Sequence, residues 1–382
     1  MVQYKRILVI YTGGTFGMLR NEKGVLVPQK EIEKVIRKLP QLHDDNYWWK
    51  HLSNTELKDY LAIPDGKDTD GKNFKIIYKI YEYDELKDSS DFTIDDWLRQ
   101  ARDIKRFYYD YDGFVILHGT DTTAYGASIL SFMMEAVGKT VILTGAQIPI
   151  FQPRSDGNNN LFCAILIAAT QHIPEITVFF GSKLFRGTRV KKVSNNRIYA
   201  FDSPNYPALL EARTTMEIDP KMLIYPLGSV PNECRLHDKL CRKVYVLKVA
   251  PTITPDLIRR VMEGMDGVVL ETYGNGNIPI KHKEIYREIA RAVKNKVLVV
   301  NVTQCINGTV LSRAIYETGL LLIECGVVPA FDMTPEAALA KMAYVLSKTE
   351  LEYEQKVELM KISIRGELHN PSNVVVNSTV RH

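Results

Sequence analysis

The sequence predicts an α/β protein of two α/β domains with mostly parallel sheets, a larger N-terminal domain and a smaller C-terminal one. Short apolar, β-branched runs alternate with stretches of helical period, the pattern of strands buried on both faces by crossover helices. That alternation breaks after Asp202 and restarts at Val244. The chain has 382 residues and is 45% hydrophobic, which is enough apolar material for two ordinary cores. The boundaries read as an N-terminal domain over 1–207, a linker over 208–242, a C-terminal domain over 243–367 and a polar, mobile tail over 368–382.

Five strands are predicted in the first domain: Arg6 to Tyr11, Phe74 to Tyr83, Gly113 to His118, Thr140 to Gly145 and Ile176 to Gly181. A helix opens at Thr93 with a capping residue and two carboxylates in its first turn, and Trp97, Ala101 and Ile104 form its inner face. A second helix runs from Thr122 to Val137. From Lys183 to Asp202 the chain turns polar and basic, as in a hairpin or flap, and Ser203-Pro204-Asn205-Tyr206-Pro207 then breaks regular structure. The linker is expected to hold a short strand or two. In the second domain, strands at Val244 to Val249, Gly267 to Thr272 and Val297 to Val302 alternate with helices at Thr254 to Met265 and Lys281 to Val293. Two more helices, Pro335 to Leu346 and Leu351 to Lys361, close the fold.

Composition narrows the function. A net charge of +4 with interspersed signs gives no basic stripe for nucleic acid, and no apolar run is long enough to span a bilayer. The first six residues lead into a strand and lack a signal-peptide core. Five scattered cysteines without a C-x-x-C pair fit reduced thiols and a cytoplasmic location better than a disulfide framework. His43 and His118 lack partners at ligand spacing, so no metal is expected. No dinucleotide fingerprint or P-loop is present, so no nucleotide cofactor is expected either.

Two threonine-bearing turns stand out, Tyr11-Thr12-Gly13-Gly14-Thr15 and His118-Gly119-Thr120-Asp121-Thr122, each directly after an apolar strand. The carboxyl ends of parallel strands are where such sheets bind ligands, and glycines at 13 and 14 let the backbone approach one closely. If Thr15 and Thr120 share one crevice, one hydroxyl attacks while the other moves protons. A threonine hydroxyl needs a base, for which a lysine kept neutral by desolvation and nearby positive charge serves; Lys192 is the candidate. Asp121 supplies a negative charge for an α-ammonium group or for the lysine. Ser89 and Ser90, just before the helix at Thr93, are placed to hold an α-carboxylate. Together these parts suit a free amino acid.

These turns, with Asp88-Ser89-Ser90-Asp91, Thr144-Gly145-Ala146-Gln147-Ile148-Pro149 and Arg186-Gly187-Thr188-Arg189, resemble the L-asparaginase family in its type I, cytosolic form, over about Lys5 to Glu367. The resemblance implies hydrolysis of the side-chain amide of L-asparagine through a covalent acyl-enzyme. It implies Thr15 as primary nucleophile and Thr120, Lys192 and Asp121 as a second, triad-like set. It further implies that the Thr120 N–H and a water at Ala146 stabilise the oxyanion, with Ser89 on the α-carboxylate and Asp121 on the α-ammonium. Ser90 takes the place of a glutamine found in many secreted relatives. Secreted relatives carry a tyrosine in the lid after the first turn, whereas this lid reads Asn21-Glu22-Lys23-Gly24-Val25-Leu26. By resemblance to cytosolic relatives, Tyr316 fills that role from a neighbouring subunit, and the Asn275-Gly276-Asn277 loop, with Asn277 on the substrate, approaches across the same contact. That implies a homodimer or homotetramer. Glu271 stands where some allosterically regulated relatives have arginine.

Each residue also has an ordinary reading: Thr15, Thr120 and Asp121 as helix caps, Lys192 as a solvated lysine, and Tyr316 as a packing aromatic. It is the motif set taken together that favours chemistry. Two rival functions are a non-catalytic asparagine sensor and an amidase subunit that supplies ammonia to a transamidating partner. The subunit of that second kind carries an extra N-terminal domain.

Overall fold

The computed structural model describes residues 3–64, 66–67, 73–225, 233–279, 281, 283–311 and 317–369. The chain divides into two compact units, residues 1–203 with 207–238, and residues 204–206 with 239–382.

The first unit is organised by one sheet of nine strands among the described residues. Its main path runs Leu210–Glu211, Lys183–Arg186, Ile176–Phe180, Val141–Thr144, Gly113–Leu117, Gln3–Gly13, Asn73–Lys87 and Leu61–Ala62. The five inner strands, Ile176–Phe180 through Asn73–Lys87, pair in parallel, and the margins are antiparallel. Ile7 to Tyr11 and Phe114 to Leu117 are almost wholly buried, as strands covered on both faces must be. Helix Ile94–Arg106 begins at a capping box between Thr93 and Asp96 and buries Trp97, Ala101 and Ile104, the face its spacing indicates.

Two readings from the sequence need correction. The helix expected to reach Val137 ends at Met133, because Met134–Ala136 instead pairs as a strand with Arg235–Leu236. The supposed linker over 208–242 belongs to the first unit as far as Asp238. Its backbone is paired there: Leu210 faces Leu184 at the sheet edge, and Arg235 and Leu236 face Ala136 and Met134. The predicted hairpin is present, with Lys191–Lys192 antiparallel to Phe201–Asp202.

The second unit holds a parallel sheet in sequential order: Val244–Lys248, Gly267–Thr272, Leu298–Thr303 and Val328–Pro329. Helix Pro255–Met262 starts with proline in its first turn, and the Thr254 side chain accepts from Leu257 N. Helix Glu317–Glu324 and the strand Val328–Pro329 escaped the sequence reading, since the strand is only two residues long. Lys341, on helix Pro335–Leu346, is fully buried against Glu367 at 2.7 Å. The tail from residue 370 lies outside the described residues. Among those described, no helix is long and apolar enough to cross a membrane.

Candidate active site

Strand pairing brings the two threonine turns together. Tyr11 is in register with Leu117, so the chain leaves both strands at the same end of the sheet. Gly14, at φ 77°, donates its N–H to Lys87 O at 3.0 Å. A Cβ placed on Gly14 would lie 2.4 Å from the Cα of Gly119. Only the missing side chain lets the Thr15 turn and the Thr120 turn pack backbone to backbone. Thr15 starts a short 3-10 turn and is half-buried. Phe16 O accepts from Ile150 N at 2.8 Å, which ties this turn to the segment after Ala146.

Thr120, Asp121 and Lys192 form a connected set. The Lys192 ammonium donates to Thr120 Oγ1 at 2.8 Å and to Asp121 Oδ1 at 2.6 Å. Asp121 is largely exposed, whereas Lys192 is mostly covered. The sequence reading expected positive charge beside this lysine. The carboxylate of Asp121, which the same reading offered to either an α-ammonium group or the lysine, faces it.

Ser89 is buried beneath the Thr120 turn: a Cβ on Gly119 would meet Ser89 Oγ at 2.6 Å, and Thr122 Oγ1 donates to Ser89 O at 2.8 Å. Ser90 is exposed, and its hydroxyl donates to Asp88 Oδ1 at 2.8 Å. Ala146 is fully buried in the turn after Val141–Thr144, where Gly145 fits closely against His118 O. Asn277 lies in the second unit, exchanging backbone hydrogen bonds of 3.0 Å with Tyr273. Tyr316 lies outside the described residues.

The sequence reading missed the support of this turn. His118 is fully buried, and burial lowers its pKa to about 4, so the ring is neutral at physiological pH. Trp97 Nε1 donates to His118 Nε2 at 3.2 Å; an indole nitrogen only donates, so the ring proton resides on Nδ1. That proton goes to Gly119 O at 2.7 Å, and Thr123 Oγ1 donates to the same carbonyl at 2.8 Å. Because the peptide is planar and trans, a carbonyl held on one side sends the following N–H, that of Thr120, to the other. An oriented donor of this kind is what an oxyanion requires. Periodicity had placed Trp97 on the inner face of its helix, and its hydrogen bond to His118 is what that face adds to the site.

Gln147, quoted in a motif but given no role, also belongs to the site. Its side-chain oxygen accepts from Thr120 Oγ1 at 3.4 Å, and its amide nitrogen donates to Ser194 O at 3.4 Å and Arg197 O at 3.2 Å.

Residues 6–222 match the family described as "Asparaginase, N-terminal", and residues 243–360 match "Glutaminase/Asparaginase C-terminal domain". L-asparaginase 1 of Escherichia coli (strain K12) is 39% identical over 96% of this chain and 99% of its own length. The L-asparaginase of Dirofilaria immitis is 42% identical over 95% of the chain and 60% of its own. The 60 kDa lysophospholipase of Mus musculus is 40% identical over 97% and 64%. The chain thus spans about three fifths of the length of these last two relatives. The crystal structure of L-asparaginase I from Vibrio cholerae superposes with a TM-score of 0.79 at 37% identity, covering 96% of this chain and 99% of that one.

Proposed function

This chain belongs to the asparaginase family, and from that premise we propose that it hydrolyses the side-chain amide of L-asparagine to L-aspartate and ammonia. The observation that carries the reading is the bridge from Lys192 Nζ to both Thr120 Oγ1 and Asp121 Oδ1, in a turn packed directly on the turn of Thr15.

In the proposed reaction Thr15 Oγ1 attacks the amide carbon, and as the C–O bond forms its proton is passed on towards the amide nitrogen. The Thr120 N–H holds the developing oxyanion. The C–N bond then breaks, the leaving nitrogen takes a proton and departs as ammonia, and an aspartyl ester remains on Thr15. Water adds to that ester with Thr120, Lys192 and Asp121 moving the proton, and L-aspartate leaves. Ser89 binds the α-carboxylate and Asp121 the α-ammonium, with Ser90 and Gly14 lining the same pocket. Binding both ends of the substrate fixes the amide at the nucleophile, which is catalysis by positioning. Tyr316 and Asn277 complete the site from a second copy in a homodimer or homotetramer, and the protein acts in the cytoplasm.

Initial rates of ammonia release from L-asparagine and L-glutamine, over a wide concentration range, test this. Saturable release from L-asparagine is the expected result. Binding of L-asparagine without turnover would favour the sensor reading. Turnover that appears only with a transamidating partner would favour the amidase subunit.

A further inference from the structure

We propose that Gln147 is a positioning residue for this reaction, a strut that holds the Lys192 hairpin against Thr120; the inference rests on the amidohydrolase reading of the same site. The backbone around Gln147 is anchored first. The Asp156 carboxylate accepts from Gln147 N at 3.1 Å and from Ile148 N at 2.9 Å, and Asn160 Nδ2 donates to Gly145 O at 3.0 Å and to Asp156 Oδ2 at 3.2 Å. Asn160 sits on helix Gly157–Thr170, so the turn that carries Gln147 is fixed to a rigid element.

From that anchor the side chain reaches two ways. Its oxygen takes the Thr120 hydroxyl and its nitrogen holds the Ser194 and Arg197 carbonyls, in the hairpin loop that follows Lys192. The hairpin needs such a tie. Its strands pair over two residues on each side, Val193 N and Ser194 N add bonds to Ala200 O, and beyond these Val193, Ile198 and Tyr199 are exposed, so little apolar burial holds the tip down. Lysine is long and rotamer-rich, so the 2.8 Å contact to Thr120 depends on where its backbone is held. The same amide sets the Thr120 hydroxyl rotor. An ammonium on Lys192 can only donate to Oγ1, and the hydroxyl proton therefore turns to Gln147 Oε1.

The test uses the full chain with Gln147→Leu and Gln147→Glu. Leucine removes all three side-chain hydrogen bonds. Glutamate keeps the shape and the acceptor for Thr120 but loses the donor to Ser194 and Arg197. Hydrogen exchange at peptide resolution is expected to quicken about tenfold or more over residues 193–199 in both variants, as befits two lost neutral hydrogen bonds. kcat on L-asparagine is expected to fall about 10²-fold for Gln147→Leu, with KM within about threefold, the mark of a misplaced catalytic group rather than of lost binding. Unchanged exchange over 193–199 overturns the strut whatever the activity. Faster exchange with wild-type kcat overturns its role in positioning. If the wild-type protein releases no ammonia, the amidohydrolase reading fails by itself, while the exchange result still decides whether Gln147 holds the hairpin. Should the leucine variant not fold, the near-isosteric glutamate variant decides through the same two measurements.

Discussion

Gly14 rests on Gly119 with no room for a methyl group, since an added Cβ would sit 2.4 Å from the other residue's Cα. Gly14→Ala must therefore push the Thr15 turn from the Thr120 turn, on top of a backbone at φ 77° that resists a side chain. We expect a stability loss of about 1–3 kcal/mol from overpacking and a fall in turnover of about 10²-fold from displaced groups. Thermal melts and ammonia release check both. A variant with wild-type turnover would show that the two turns need not touch.

Thr15→Ala is expected to reduce ammonia release to background with the fold intact, because the proposed nucleophile is gone. Thr120→Val preserves shape while removing the hydroxyl that Lys192 contacts, and should cost about 10²–10⁴-fold in kcat. Circular dichroism separates lost chemistry from lost structure. Wild-type turnover by Thr15→Ala would falsify the assignment.

His118 predicts a dependence of stability on pH. Its folded pKa, about 4, lies below the unfolded value of roughly 6.5, so the folded state resists a proton that the unfolded chain accepts. Above pH 6.5 both states are neutral and the stability is complete. It is lost as pH falls from 6.5 towards 4 and changes no further below that, for a total of about 3 kcal/mol. His118→Gln lacks this term, so the gap between wild type and variant should narrow by most of that amount between pH 7 and pH 4. Urea denaturation at the two pH values measures it, and a constant gap would refute the linkage.

Lys341 and Glu367 form a buried ion pair in the second unit, both side chains with no exposure. Glu367 also accepts from Ile364 N and Arg365 N, so it pins the segment after the last helix. Lys341→Met strands a buried carboxylate and should cost about 3–5 kcal/mol. A melting temperature within a degree or two of wild type would count against that.

The parallel strands and the helix at Thr93 were legible because burial on two faces, helical spacing and capping leave marks in the sequence. The early end of the helix at Met133 was not, because it depends on a partner about a hundred residues away, Arg235–Leu236. In the site, the threonine turns were legible through their glycines. Gln147 and His118 were not, since their roles come from hydrogen bonds to backbone carbonyls of distant residues, which no local pattern encodes. Of the two partners the sequence offered Asp121, an α-ammonium group or the lysine, the fold supplies Lys192, a contact made across 71 residues that no local pattern encodes.

The first sheet has a parallel interior, but its main path ends in antiparallel strands of two residues each, Leu61–Ala62 and Leu210–Glu211. Strands so short offer a newcomer little ladder of their own, one of the devices by which sheets resist edge-to-edge growth. Copies meeting at those two ends would have to join through side-chain surfaces, where a point substitution can break the contact, and not by lengthening the ladder.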